Sequence, residues 1–264
     1  MGNTNSNVSI KDTIGVFLFF MHDKIKEERG GILMKTVGLL GGMSYESTFV
    51  YYQKINQEIQ KIFGGSHSAK ILMYSYDYAI LEELLVKDQW NLIIDELVDK
   101  GLKLKQAGAD FIVLCANTMH IVADEVEHQI GLPLLHIAKA TRDYALDQNM
   151  KKVLLLGTTY TMNSSLYPQL FNEKEIVVIT PSPREKAFIH RTIYHELIKG
   201  IYSFESKEKF LDIISHYQKE NIDGVILGCT EIPLLIKQED IHVSLLNTLD
   251  LHVKSIVQYM VSNE

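Results

Sequence analysis

Two cysteines are the residues in this chain best suited to moving protons, and they stand in different settings. Cys229 lies in Gly228-Cys-Thr-Glu231, directly after the apolar run Val225 to Leu227, while Cys115 follows Phe111 to Leu114 and precedes Ala116-Asn117-Thr118. A loop that ends a strand and opens a helix offers free backbone N–H groups and the positive end of a helix dipole, both of which favour an anion. In such a setting the Cys229 thiol is expected to have a lowered pKa, so that its thiolate can act as a base. Asn117, Thr118 and Thr230 add side-chain donors suited to a carboxylate. Two further loops of the same kind are Gly41-Gly42-Met43-Ser44 and Gly157-Thr158-Thr159. Taken singly, each loop reads equally well as an ordinary helix cap; four in matched positions set them apart. Glu231 either orients Cys229 or starts its helix with a favourable negative charge. His120, three residues after Asn117, reads as a packing or capping residue standing behind the others.

The elements that must position these loops are legible as apolar runs without polar alternation: Thr36–Leu40, Ile71–Tyr74, Phe111–Leu114, Leu134–Ile137, Val153–Leu156, Ile176–Ile179, Val225–Leu227 and Val243–Leu246. Runs of this length suit strands buried on both faces of a parallel sheet. Amphipathic stretches lie between most of them, so strand and helix alternate as in doubly wound α/β layers. The second half repeats the first. Lys35-Thr-Val-Gly-Leu-Leu-Gly-Gly-Met-Ser resembles Lys152-Val-Leu-Leu-Leu-Gly-Thr-Thr-Tyr-Thr, and Asp110-Phe-Ile-Val-Leu-Cys-Ala-Asn-Thr resembles Asp223-Gly-Val-Ile-Leu-Gly-Cys-Thr-Glu. The expectation is two pseudo-symmetric α/β domains, each with a central, mainly parallel sheet, whose strand ends face one another across a cleft. Residues 34–149 form the first half and 150–264 the second, with a C-terminal helix that crosses back to the first. Residues 1–33 read as an extension of unknown role, and Met34 as a natural start.

The repeat places Ala116 opposite Cys229 and Cys115 opposite Gly228. A one-residue slip turns a side chain to the other face, so Cys115 reads as packing unless a twist in the loop re-aims it.

Composition excludes several classes. Lys and Arg number 26 against 33 Asp and Glu, with no basic run interleaved with aromatics, so nucleic acid is not an expected partner. The apolar stretch Ile14–Met21 is far shorter than the ~20 residues of a membrane span, and it lacks a cleavage site. The two cysteines are far apart and belong to no metal-site cluster, which points to a reducing, cytoplasmic setting without metal.

Five segments together resemble the aspartate/glutamate racemase family: Gly-Leu-Leu-Gly-Gly-Met-Ser-Tyr-Glu-Ser-Thr (38–48), Cys-Ala-Asn-Thr-Met-His (115–120), Gly-Thr-Thr-Tyr-Thr-Met (157–162), Ile-Tyr-His-Glu-Leu (193–197) and Gly-Cys-Thr-Glu-Ile (228–232). The resemblance implies a homodimer that works without a cofactor, using two facing acid/base residues on a small amino acid or dicarboxylate. It assigns Cys229 as one base and Asn117, Thr118 and Thr230 as holders of the α-carboxylate. The partner of Cys229 in this family precedes the Asn-Thr pair and is cysteine or threonine; here it is Ala116. That departure leaves three readings open: an impaired racemase of aspartate/glutamate type, a single-cysteine decarboxylase or lyase of the same superfamily, and a non-catalytic amino-acid binder. Lys199 matches the lysine that dicarboxylate-specific relatives use for a side-chain carboxylate, or else completes a helix before Gly200. Leu85 falls where relatives carry a polar, substrate-facing residue.

Overall fold

Val37–Gly41 and Gly224–Gly228 are buried at every residue, a burden that only strands covered on both faces can carry. The computed structural model describes residues 34–262; the proposed extension 1–33 lies outside the described residues. One sheet contains β1 (Val37–Gly41), β2 (Ile71–Ser75), β3 (Phe111–Leu114) and β4 (Leu134–Leu135) in the order β2-β1-β3-β4. The other contains β5 (Lys152–Gly157), β6 (Val177–Ile179), β7 (Gly224–Gly228) and β8 (Ser244–Asn247) in the order β6-β5-β7-β8. All neighbouring pairs are parallel. Helices connect successive strands, and the α/β class and two-sheet architecture are those the alternation implied.

Equivalent aspartates show how closely the halves repeat. The Asp110 carboxylate accepts the Thr36 N–H at 2.6 Å, and the Asp223 carboxylate accepts the Lys151 and Lys152 N–H groups at 2.7 and 2.9 Å. Each aspartate thereby satisfies backbone donors just ahead of the neighbouring strand, β1 or β5, which the ladder leaves open.

Two runs depart from expectation. Leu134–Ile137 yields only a two-residue strand, because the His136 Nδ1 accepts the Ala138 N–H at 3.1 Å and starts the next helix there. β2 is an edge strand and is only partly covered, with Met73 exposed.

Where β1 turns into α1 (Tyr45–Phe63), Gly42 has φ +83°, and a Cβ there would stand 2.4 Å from the Tyr76 backbone N and O. Only glycine lets the chain pass so close to β2.

The last helix, Thr248–Val261, packs on the first sheet. Lys35 N–H donates to the Met260 carbonyl at 2.9 Å, and Phe111 meets Tyr259 edge-on. His252, fully buried on this helix, donates from Nε2 to the Leu135 carbonyl at 2.8 Å, which leaves its Nδ1 to accept the Tyr51 hydroxyl at 2.9 Å. Its ring lies 5.6 Å from that of His120, and His120 lies 4.7 Å from His136. None of the described helices is long and apolar enough to cross a membrane.

Burial keeps these three imidazoles neutral, lowering His120 to about 4, His252 to about 3 and His136 to about 2. A base whose folded pKa lies below its unfolded value of ~6.5 binds its proton only on unfolding, so its contribution is intact above that pH and is lost as pH falls. Stability is therefore expected to decline from pH 6.5 toward 4, each histidine adding up to about 1.4 kcal/mol per pH unit to the slope. Urea midpoints at pH 7.5, 6 and 5 check this. A midpoint independent of pH over that range would show that the imidazoles are already solvated in the fold.

Candidate active site between the two sheets

Four strand ends supply the expected loops, and each opens a helical segment. Ser44 caps α1, its hydroxyl accepting the Ser47 N–H at 3.3 Å. Thr158 caps the helix Thr159–Asn163 in the same way, accepting from Thr161 N–H. Asn117 precedes the 3₁₀ segment Thr118–Val122, and Glu231 precedes the short helix Ile232–Leu235.

These loops converge on a cavity of about 400 Å³. Met43, Ser44, Ala116, Asn117, Thr158, Cys229, Thr230 and Glu231 all line it, joined by Tyr76, Tyr78, Ile193, Tyr194 and Ile198. Ala116 and Cys229 thus face the same space from opposite halves.

The Glu231 carboxylate is the centre of the site. It is buried, and four side chains donate to it: Ser44 at 3.0 Å and Ser47 at 2.9 Å from the first half, Cys229 and Thr230 at 2.9 Å each from the second. The hydroxyls of Ser47 and Thr230 lie against each other, each with its one proton turned to the carboxylate. A buried carboxylate is tolerated when its lone pairs are so occupied. The alternatives for Glu231 resolve here: its carboxylate holds the thiol.

A second link between the halves positions Asn117. Its Oδ1 accepts the Tyr167 hydroxyl at 2.6 Å, its Nδ2 donates to Thr248 Oγ1 at 3.0 Å, and Thr248 donates in turn to the Leu227 carbonyl at 2.8 Å. Leu227 is two residues before Cys229, so the carrier strand of the thiol and the Asn117 amide are mutually fixed. Thr118, expected among the carboxylate holders, is not part of the cavity lining: its hydroxyl lies behind it, 3.3 Å from that of Thr158 and 3.4 Å from that of Thr161.

One expectation about Cys229 is overturned. The Thr230 and Glu231 N–H groups do favour the thiolate, as a helix-opening loop should, but burial, reinforced by the adjacent Glu231 carboxylate, outweighs them and pushes the thiol well above its ordinary value. The helix after it has only four residues and little dipole to add. The resting group is a thiol donating to Glu231.

Other expected residues lie elsewhere. Cys115 is fully buried, its thiol pushed up by burial, and it is absent from the cavity lining. Lys199 is exposed in the 3₁₀ turn that Gly200 closes at φ +71°, outside the cavity, and Leu85 is packed in the first-half core; neither meets the space where substrate would lie. His120 donates from Nδ1 to the Ala116 carbonyl at 2.9 Å and so braces the loop from behind, while its buried Nε2 has no hydrogen-bond partner. Among the described residues, no group of three or more His, Cys, Asp or Glu side chains is arranged to hold a metal ion.

Ser47, Tyr167 and Thr248, which sequence reading did not single out, carry much of this network. Ser47 carried a signal, since it sits one turn into the helix capped by Ser44; Tyr167 and Thr248 lie in ordinary helical sequence and gave none. Tyr78 and Tyr194 were missed as well. They approach from the two halves with hydroxyls 3.4 Å apart, and burial keeps both phenols neutral.

The family model described as Asp/Glu/Hydantoin racemase matches residues 40–256. A crystal structure of a Yersinia pestis protein assigned as an Asp/Glu racemase is 43% identical, with TM-score 0.82, over 87% of this chain and 100% of that one. A Pyrococcus horikoshii aspartate racemase homologue is 32% identical with TM-score 0.76 over the same shares. The broad specificity amino-acid racemase RacX of Bacillus subtilis is 29% identical over 147 residues, 53% of this chain and 63% of its own length, so the chain spans just under two thirds of that curated relative.

If the carboxylate holds the thiol up, removing its charge must release it. In Glu231→Gln the Cys229 thiol is expected to titrate at lower pH, and its alkylation by iodoacetamide at pH 8 to proceed several-fold faster than in the parent with Cys115→Ala in both backgrounds. An unchanged rate would mean that burial alone sets the thiol.

Proposed function

The chain belongs to the Asp/Glu/hydantoin racemase family, and from that premise we propose that it is an amino-acid racemase in which Cys229 exchanges the Cα proton without a cofactor. The observation that carries this reading is the Cys229–Glu231 hydrogen bond at the wall of a cavity shared by both halves. A thiol that rests protonated needs a base to become a nucleophile for hydrogen, and Glu231 Oε2 is in place to take its proton. The thiolate then removes the proton from Cα. The C–H bond breaks, an S–H bond forms, and the electron pair passes into the substrate's α-carboxylate as an enediolate. Asn117 donates to that carboxylate, and so does the Thr230 hydroxyl, which is freed when Glu231 Oε2 takes the proton; Thr118 stands behind them. Asn117 has one Nδ2 hydrogen committed to Thr248 and the other available to the ligand.

Inversion requires a new C–H bond on the opposite face, where a family partner residue would stand. The methyl of Ala116 has no transferable proton. Water in the cavity is the donor left for that face, the hydroxide it leaves being neutralised by the proton held on Glu231. Exchange should therefore outpace inversion. The same methyl supports a second reading, in which the lone cysteine protonates a carbanion formed by loss of carbon dioxide from a malonate; release of carbon dioxide without amino-acid exchange would select it. The homodimer implied by the resemblance is part of the proposal and is read by sedimentation.

In deuterated buffer with a panel of L- and D-amino acids, Cα exchange is expected to exceed optical inversion in the parent chain. Cys229→Ala should abolish both, and Cys115→Ala should change neither by more than about twofold. Ala116→Cys or Ala116→Thr, by restoring a proton carrier worth ~10²–10⁴ in rate, should bring inversion up to exchange. Exchange that survives Cys229→Ala would remove the cysteine from the mechanism.

A further inference from the structure

We propose that the cavity takes a monocarboxylic α-amino acid, with an uncharged or cationic side chain, and turns away the dicarboxylic ones. This deepens the reading above and rests on it for the position of the substrate's Cα.

A dicarboxylic substrate brings a second carboxylate, which needs a cation or a further set of free donors besides those that the α-carboxylate takes. The described cavity lining carries Glu46, Asp77 and Glu231 and no lysine, arginine or histidine. Glu231 is already saturated by its four donors and offers a substrate carboxylate nothing but repulsion. Lys199, the lysine that could have reversed this balance, is exposed and outside the lining.

Shape and polarity agree. Away from the Asn117 loop, the wall consists of Tyr78, Ile193, Tyr194 and Ile198. The two phenols, whose hydroxyls stand 3.4 Å apart, close this side of the cavity with aromatic surface. Such a wall suits an aliphatic or thioether chain, and aromatic faces also attract a cation. Asp77 lies at the rim, exposed, one of its oxygens accepting the Ala79 N–H at 3.3 Å as the cap of the helix Tyr78–Val86 and its other oxygen open to a cationic chain end. A carboxylate side chain reaching that rim would meet Asp77 instead of a counter-charge.

Binding and chemistry are measured separately so that each can fail alone. Thermal stabilisation of the full chain by L-methionine, L-lysine, L-aspartate and L-glutamate at equal concentration reads binding without turnover. Methionine and lysine are expected to raise the melting temperature and the two dicarboxylic acids to leave it unchanged. Cα exchange with the same four reads the chemistry, with at least tenfold higher kcat/KM for the monocarboxylic pair. Ala79→Arg, at an exposed lining position, should shift kcat/KM, and the stabilisation, toward L-glutamate by at least tenfold relative to L-methionine. Stabilisation by aspartate or glutamate equal to or above that by methionine and lysine overturns the inference, as does stabilisation by none of the four. Stabilisation by the monocarboxylic acids with no exchange upholds the substrate class and instead sinks the racemase reading.

Discussion

A buried carboxylate with four side-chain donors holds this site together. Glu231 cannot sit at 6% exposure unless its oxygens are occupied, and half of its donors, Ser44 and Ser47, belong to the other half of the chain. The two sheets must therefore meet with a definite separation and register for the carboxylate to be satisfied at all. Losing one donor leaves a buried acceptor underpaired, which costs more than the hydrogen bond is worth on its own. The same contact sets the chemistry of Cys229. A neighbouring negative charge works against a thiolate, yet it is also the nearest acceptor for the proton that must leave. The site holds its sulfur as a protonated, oriented thiol, and in the proposed reaction the base forms only when Glu231 accepts the proton.

Repetition explains how loops from distant stretches of sequence come to one place. Each half lays down its strands in the same order, and each uses an aspartate, Asp110 or Asp223, to tie the start of one central strand to its neighbour. With the starts fixed, the strand ends are fixed too, since β1 pairs with β3 and β5 with β7 residue for residue. Close approach at those ends depends on small residues. A Cβ on Gly228 would come 2.9 Å from the Leu156 carbonyl, and one on Gly41 2.4 Å from Thr48. The glycines beside the site are thus required by the packing of the sheets before any ligand is considered.

The fold was largely legible because burial on both faces writes itself into sequence as unbroken apolar runs, and all eight runs contain strands. Departures lie at edges and ends, at β2 and β4, where partial cover or a capping side chain decides and hydrophobicity does not. The loops of the site were legible for a related reason: glycine, serine, threonine and asparagine after an apolar run have few other uses. What could not be read was anything that depends on two distant stretches meeting. Tyr167 and Thr248 look like any other helical residues until Asn117 lies between them. The neutrality of His120, His136 and His252 arises from mutual burial by three separate elements. The thiol of Cys229 was misjudged because the local backbone was visible in the sequence and the enclosing protein was not.

Ala116 makes the two halves of the repeat functionally unequal. Position 116 lines the same cavity as its counterpart at 229, and its carbonyl is braced by His120, yet only a methyl stands there. The first half contributes to the site through Ser44 and Ser47, which hold Glu231, and under the proposed function through Asn117, which orients the ligand. In the proposed mechanism, binding and orientation are shared between the halves, whereas proton transfer falls to the second alone. Under that proposal the face of Cα turned toward Cys229 is the reactive one, and the stereochemical outcome is left to whatever proton source can reach the side that Ala116 leaves empty. In that mechanism the source is no fixed side chain, so its rate would depend on water entering a cavity walled by Tyr78, Tyr194 and Ile198. Side chains that fill this wall therefore slow inversion more than they slow exchange.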